Sequence, residues 1–392
     1  MNPSATPLEQ PVEVITRPRR FSIGLPRSAS RAERRFPLTP EAVNILVDHG
    51  FTVKMESGAA DIIHYADNRY SRHGAEIVDR REALQCDIVI HLAPLTVSDV
   101  STMRRGAMLL TLLHSASPVT RQLVDALTHR GIMTIALDLI RDREDHMPFA
   151  DILSEIDGRA SIAVAASLLA DAIRGKGILL GGIAGIVPCE IVVLGSGIAA
   201  RAVAQSAMGL GAQVRMFDSD IYSLRSAIQR LGAGVVGSAP HPHVLDNALR
   251  SADIVVSTAM TRCIAIDSDR CELMKRGVIT FDISNRPGSV FPSMPTIDLA
   301  VARSCDNTLD GHRVCYINAG SAVPRTAAMA MSNALAVMLE EIITCEGMSN
   351  ALKLTPGLQR ATLTFNGHVV HPEIARIAGC RPTDLALFIQ LS

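Results

Sequence analysis

The 392-residue sequence contains no tryptophan, and aromatic residues make up only 3% of it. Proteins that hold single-stranded nucleic acid stack its bases on aromatic rings, so that platform is missing. An excess of one charge is missing too: 38 lysines and arginines balance 39 aspartates and glutamates, for a net charge of −1. Such a chain has no field that would draw in nucleic acid or an anionic bilayer. The eight cysteines are scattered and form no Cys-x-x-Cys pair. That excludes the common zinc and dithiol spacings and suits a reducing, cytoplasmic setting. Residues 1–20 hold several prolines but no apolar signal-peptide core, and read as a disordered or loosely packed arm.

An unbroken apolar span is also absent. The stretch that comes nearest is "KGILLGGIAGIVPCEIVVLGSGIAARAVAQ", residues 176–205, where Glu190 is the only charge between Gly177 and Ala200. Repeated glycines and Pro188 weaken any continuous helix there, and a mid-bilayer carboxylate is costly. The stretch divides better at Pro188. "GGIAG" then becomes a loop, "EIVVLG" a short buried strand, and "GSGIAARAVAQSAMGLG" a glycine-rich turn opening into a helix. That reading replaces a membrane span with a nucleotide site.

What the sequence does have is 48% hydrophobic residues and a length that suits two or three domains with full cores. From residue 21 onward, short apolar strands alternate with helices. "RFSIGLP", "FTVKMES", "CDIVIHLA", "AMLLTLLH" and "IMTIALDLI" read as strands. "TPEAVNILVDHG" reads as a helix with Thr39 as its N-cap and Pro40 in its first turn. After the alanine-rich helix "DGRASIAVAASLLADAIRGKG", strands follow at 190–194, 213–218, 253–258, 278–283 and 312–317. The alternation predicts an α/β fold with mostly parallel, doubly wound sheets. The expected domains are a substrate domain over 21–149 plus 326–392 and a nucleotide-binding domain over 150–325. A long apolar helix at 324–345 returns the chain to the first domain. The tail 346–392 is mixed in character and yields little.

Gly195-Ser196-Gly197-Ile198-Ala199-Ala200 follows a strand and opens a helix. The first glycine permits a tight turn, the second lets a pyrophosphate approach the backbone, and the small third residue lets helix and strand pack. The free N–H groups of the helix start then face the phosphates. The next strand ends in Asp218, about 20 residues on, where an acid accepts the ribose hydroxyls of NAD and repels the 2′-phosphate of NADP. A plain helix N-cap is the other reading of Asp218.

Jointly and in order, "RRFPLTPEAV", "MLLTLLHSAS", "DILSEIDGRASIAVAA", "VVLGSGIAARAVAQSAMGLGAQVRMFDSD" and "INAGSAVPRTAAMAMSNAL" resemble the alanine dehydrogenase and pyridine-nucleotide transhydrogenase family. That family includes opine-type enzymes such as saccharopine dehydrogenase. The resemblance runs from about residue 21 to 345. It implies two Rossmann-like domains with a cleft between them, NAD as cofactor, a small amino-acid or 2-oxo-acid substrate, and a homo-oligomer. It further implies that Arg35 grips a substrate carboxylate and that His114 serves the reacting carbonyl or imine. Ser154 and Asn318 would lie near the cofactor. Guanidinium binds a carboxylate through two parallel hydrogen bonds, and imidazole moves protons near neutral pH. The plainer readings are a surface arginine and a histidine satisfied at a strand end.

Two positions depart from the family. Its substrate-binding lysine falls at Ala93; His91 lies two residues earlier on the same strand face and is a candidate for part of that role. A rim histidine is the alternative. The family's catalytic aspartate falls at Asn285 or Arg286, with Asp282 at the strand end. Arg286 is either a loop arginine or the anchor of a second substrate carboxylate. The expected activity is hydride exchange at a C–N bond. The alternatives are a nucleotide-binding regulator and a transhydrogenase-like subunit.

Overall fold

A computed structural model of the chain describes residues 21–114, 118–173, 175–258, 264–284, 286, 288–301, 313–344 and 348–390. The expected N-terminal arm and Asn285 lie outside the described residues.

Six short strands open the fold: β1 (Ser22–Leu25), β2 (Thr52–Glu56), β3 (Glu76–Val78), β4 (Ile88–Ile90), β5 (Met108–Thr111) and β6 (Met133–Ala136). They pair in parallel, in the order β3-β2-β1-β4-β5-β6. Strands β4, β5 and β6 are buried at every position, as a parallel sheet covered on both faces requires. Thr39 caps the helix Pro40–Asp48, its side chain accepting from the Ala42 N–H.

Seven more strands form the second sheet: β7 (Glu190–Leu194), β8 (Gln213–Phe217), β9 (Val235–Ser238), β10 (Ile254–Ser257), β11 (Ile279–Asp282), β12 (Thr296–Asp298) and β13 (Cys315–Ile317). Their order, β9-β8-β7-β10-β11-β13-β12, reverses direction beside β7. In open α/β sheets a ligand binds at such a switch point, outside the carboxyl ends of the strands. The α/β, doubly wound architecture expected from the alternation is present in both halves.

Three short strands lie outside the expected set. β3, β9 and β12 each have exposed or half-buried positions, so none carries a continuous apolar run. The tail adds more structure than its composition foretells. β14 (Thr362–Phe365) pairs antiparallel with β6 and turns into β15 (His368–Val369). The helix Pro372–Ala378 follows.

The helix Pro148–Ala170 connects the two cores. Phe149 and Leu153, near its start, pack in the first, whereas Ala160, Ile162 and Ala165 pack in the second. The helix Pro324–Thr344 runs back, placing Ala328, Met331 and Leu335 in the first core. Among the described residues no helix is long and apolar enough to cross a membrane.

At Gly158 the connecting helix meets the helix Ile198–Gly209, which follows the glycine-rich turn. A Cβ there would sit 2.5 Å from the Ala199 carbonyl oxygen and 2.9 Å from the Ala202 Cβ. Helix propensity favours alanine over glycine by about 0.5–1 kcal/mol, but overpacking costs about 1–3 kcal/mol. Gly158→Ala is therefore expected to destabilise the protein by roughly 1–2 kcal/mol, read in urea unfolding by circular dichroism. Equal or higher stability would show that the two helices do not meet here.

Candidate active site

Because β1–β6 pair in parallel, as do β7–β13, their carboxyl ends gather along one edge of each sheet. Arg35 lies in the segment after β1, His91 directly follows β4, His114 follows β5 and Asp138 follows β6. In the other half, the glycine-rich turn follows β7, Asp218 follows β8, the loop bearing Arg286 follows β11 and Asn318 follows β13. Residues far apart in sequence are thus delivered to one region.

Arg35 is buried and paired along one edge with buried Glu33: its Nε donates to Oε1 at 2.7 Å and its Nη2 to Oε2 at 2.5 Å. Burial alone would weaken the cation's hold on its proton. Glu33, with Asp157 and Asp138 further off, more than reverses that and raises the pKa beyond its already high ordinary value. Glu33 uses two of the five guanidinium N–H groups. The end formed by Nη1 and the second Nη2 hydrogen keeps its donors, the geometry that a carboxylate fits.

Strand pairing explains the next contact. Thr111 of β5 lies opposite Ala136 of β6, so the segments leaving those strands run side by side. Asp138 accepts from the backbone N–H of Leu113 at 2.8 Å and of His114 at 2.9 Å, and its Oδ2 lies 2.8 Å from His114 Nδ1. A carboxylate only accepts, so Nδ1 carries a proton and Nε2 is the nitrogen left for another partner. Glu373, from the tail helix, lies 3.9 Å from Nε2. The Asp138 hydrogen bond holds the His114 pKa above its ordinary value against the opposing effect of burial. The charges of Asp138 and Glu373 add to it, and Arg286 opposes it. Burial would raise Asp138, but the His114 bond and the two backbone N–H groups hold it below the usual carboxylate range.

His91 is different. It is buried, and its Nδ1 donates to the Ala93 carbonyl at 2.5 Å. Burial pushes its pKa down, leaving a neutral ring. Its other ring nitrogen, Nε2, is buried with no hydrogen-bond partner among the described residues. Asp282 does not present a reactive carboxylate. It is fully buried, and its oxygens accept from the N–H groups of Ser284, Gly288 and Val290, closing the loop that carries exposed Arg286.

In the second half, the Gly195 N–H donates to Phe217 O at 2.7 Å, extending the β7–β8 ladder. Gly195 takes φ +110°, which a side chain would oppose. The ladder brings Ser196 to Asp218: Ser196 Oγ donates to Asp218 Oδ2 at 2.6 Å, and the Asp220 N–H donates to Oδ1 at 2.9 Å. Asp220, not Asp218, caps the following helix, with its side chain accepting from Tyr222 and Ser223. A Cβ at Gly197 would meet no atom within 4 Å, and no side chain caps the helix that starts at Ile198. Open space over free helix N–H groups fits a dinucleotide pyrophosphate. Ile198 and Ala199 form the first turn of that helix.

Several contacts join the halves. Asn318, in the left-handed region at φ +61°, donates from Nδ2 to Ala32 O at 2.8 Å and to Asp298 Oδ1 at 3.2 Å. Asp157 on the connecting helix accepts from the Gly320 N–H at 2.6 Å and is coupled by charge to Arg35. Ser154 is half-buried, one turn before Asp157 on the same helix. Glu33, Asp138, Asp157 and Glu373 were not singled out by motif. An acid inside the apolar run "IALDLI" is a usable signal for Asp138. Glu373, in the mixed tail, has none.

Among the described residues no group of histidine, cysteine, aspartate and glutamate is arranged to hold a metal ion. The family model described as alanine dehydrogenase/PNT, N-terminal domain, matches residues 24–156, and that for the C-terminal domain matches residues 161–372. An alanine dehydrogenase of Mycolicibacterium smegmatis is 28% identical over 94% of this chain and 99% of its own. Alanine dehydrogenase 2 of Staphylococcus aureus is 29% identical over 91% and 96%. A solved structure titled L-alanine dehydrogenase superposes with a TM-score of 0.78 at 25% identity, covering 91% of this chain and 98% of the other. With both family domains matched in order across the two sheets, the chain belongs to the alanine dehydrogenase/PNT family.

Proposed function

We propose that this chain is an NAD-dependent dehydrogenase acting on the C–N bond of an amino acid and its 2-oxo-acid or imine counterpart. One observation carries the reading: His114 is paired with Asp138 at the carboxyl edge of the same sheet from which Arg35 emerges, and the charge of Arg35 couples to Asp138 and to Asp157 on the helix leading into the nucleotide domain. When bound, NAD takes or gives the hydride at the substrate's α-carbon. Arg35, aligned by Glu33, holds the substrate carboxylate through its free end. His114 Nε2 serves the carbonyl or imine carbon: it takes a proton from attacking water during amine oxidation and returns one during amination. Asp138 fixes the ring's tautomer and stabilises its charged form. Asp218, oriented by Ser196 and Asp220, faces the ribose with a negative charge that opposes a 2′-phosphate. Ser154 and Asn318 border the nicotinamide end. A regulator that merely senses nucleotide has no use for the first two pairs, and family membership does not favour it.

The partners of this reading are a small substrate and further copies of the same chain. Leu179, Ile183, Ile186 and Val187 are 69, 61, 63 and 78% exposed in the segment that leads into β7. Clustered exposed apolar side chains of this kind mark association surfaces. All five described cysteines are free thiols, four of them buried, as a reducing, cytoplasmic compartment favours.

The test is a panel of the common L-amino acids with NAD, and of 2-oxo acids with NADH plus ammonia or an amino acid as amine donor. The donor that works tells a primary amine from an opine-type secondary amine. The wild-type protein is expected to turn over at least one pair. His114→Ala is expected to lower kcat on the order of 10²–10⁴-fold while NADH binding, read by fluorescence, persists. A protein that binds NADH yet is inert throughout the panel contradicts the reading.

The pH dependence follows from the raised His114 pKa. Oxidation needs the neutral ring, so its rate rises as pH passes upward through that pKa. Reductive amination needs the charged ring and fades over the same window. Asp138→Asn is expected to move both limbs to lower pH in rate profiles; unmoved limbs would remove Asp138 from this role. In sedimentation velocity, the double variant Ile183→Glu/Val187→Glu is expected to yield smaller particles than wild type. Identical sedimentation would place the association surface elsewhere.

A further inference from the structure

The family's catalytic aspartate position is held by Asn285 or Arg286, so the cleft lacks the carboxylate that would receive the substrate amine from that loop. Acids elsewhere in the site are already engaged. Glu33 is bound to Arg35, Asp138 to His114 and two backbone N–H groups, and Glu373 lies 3.5 Å from Arg376. Asp157 differs. Its Oδ1 accepts from the Gly320 N–H, while among the described residues no hydrogen bond to its Oδ2 is formed. It sits on the connecting helix, one turn past Ser154 and against the turn that follows Asn318. Its charge couples to Arg35 without direct pairing. In an α-amino acid the nitrogen is two bonds from the carboxylate carbon, so whatever receives the amine must lie close to the carboxylate's anchor.

We propose that Asp157 is a further catalytic residue that receives the substrate's amino group, taking over from the carboxylate missing after β11. This rests on the dehydrogenase reading above. In the oxidative direction, an Asp157 oxygen takes one proton from the substrate ammonium and becomes a neutral carboxyl, leaving a neutral amine. The nitrogen lone pair then forms the C=N bond as the α-hydrogen departs with its electron pair to NAD. Water adds to the iminium carbon and loses a proton to His114. Asp157 returns its proton to the carbinolamine nitrogen, the C–N bond breaks as the C=O bond forms, and the hydroxyl proton passes to the departing ammonia, which leaves as ammonium.

The groups around Asp157 set its working range. Burial raises its pKa above the usual aspartate value, Arg35 and the Gly320 N–H pull it down, and Glu33 pushes it up. Asp138, on the turn after β6, is committed to His114. The carboxylate is needed ionised, so it adds a second ionisation to the acid side of the oxidative kcat/KM profile, beneath the one that His114 sets.

The experiment uses the full-length protein and the L-amino acid that reduces NAD fastest in the panel. Asp157→Asn is expected to lower kcat for oxidation on the order of 10²–10³-fold and to cut the low-pH slope of the profile from two protons to one, leaving the limb that His114 sets, with Asp157→Glu recovering part of the rate. Calorimetry on the enzyme–NADH complex should show weaker binding of that amino acid to Asp157→Asn, with unchanged binding of the matching 2-oxo acid, which has no amine. Unchanged NADH affinity and melting temperature show that the fold is intact. An active wild type whose Asp157→Asn variant keeps kcat and its pH profile within threefold overturns the proposal. A wild type inert across the panel overturns the dehydrogenase reading itself.

Discussion

Parallel pairing makes every strand of a sheet release its chain at the same edge, and the candidate site depends on that constraint. In the first half, β5 and β6 are in register at Thr111 and Ala136, so the segments leaving them are forced together. That is how an imidazole and a carboxylate separated by 24 residues reach 2.8 Å. In the second half, the β7–β8 register ending at Leu194 and Phe217 does the same for Ser196 and Asp218. The connecting helix Pro148–Ala170 spans both cores, so the two edges share one rigid element that carries Ser154 and Asp157.

The charges gathered there are mostly arranged in pairs. Glu33 aligns Arg35 and covers one edge of its guanidinium, leaving the end free. Asp138 binds one imidazole nitrogen of His114 and leaves the other for another partner. In each pair a buried carboxylate holds a cationic group in place, and the cationic group keeps donors for a ligand. A desolvated charge without such a partner would shift its pKa and neutralise. His91 illustrates this: it lies at the equivalent strand end, has backbone carbonyls rather than a paired carboxylate beside it, and burial pushes its pKa down.

Much of this arrangement is legible in the sequence where the signal is local. The strand–turn–helix at 190–209 declares itself through an apolar run, two glycines and an alanine-rich helix. The Thr39–Pro40 helix start is equally local, and the resemblance carried Arg35 and His114. What escapes is whatever pairing across the fold decides. Short edge strands such as β9 expose alternate residues and lack an apolar run. The β14–β15 hairpin carries a local mark, Asn366-Gly367 with both residues at positive φ, but its docking on β6, and with it the place of Glu373, has none. His91 shows its face of the strand in the sequence, but neither its burial nor its bond to the Ala93 carbonyl.

The central claim is that the α-hydrogen of an amino acid passes as hydride to a nicotinamide held by the second half of the chain. The most direct measurement uses the active amino acid deuterated at its α-carbon, in stopped-flow reduction of NAD with mass analysis of the product. The account predicts that the reduced nicotinamide carries the deuterium and that the single-turnover rate is slowed by a primary isotope effect. Reduced cofactor free of deuterium would contradict it.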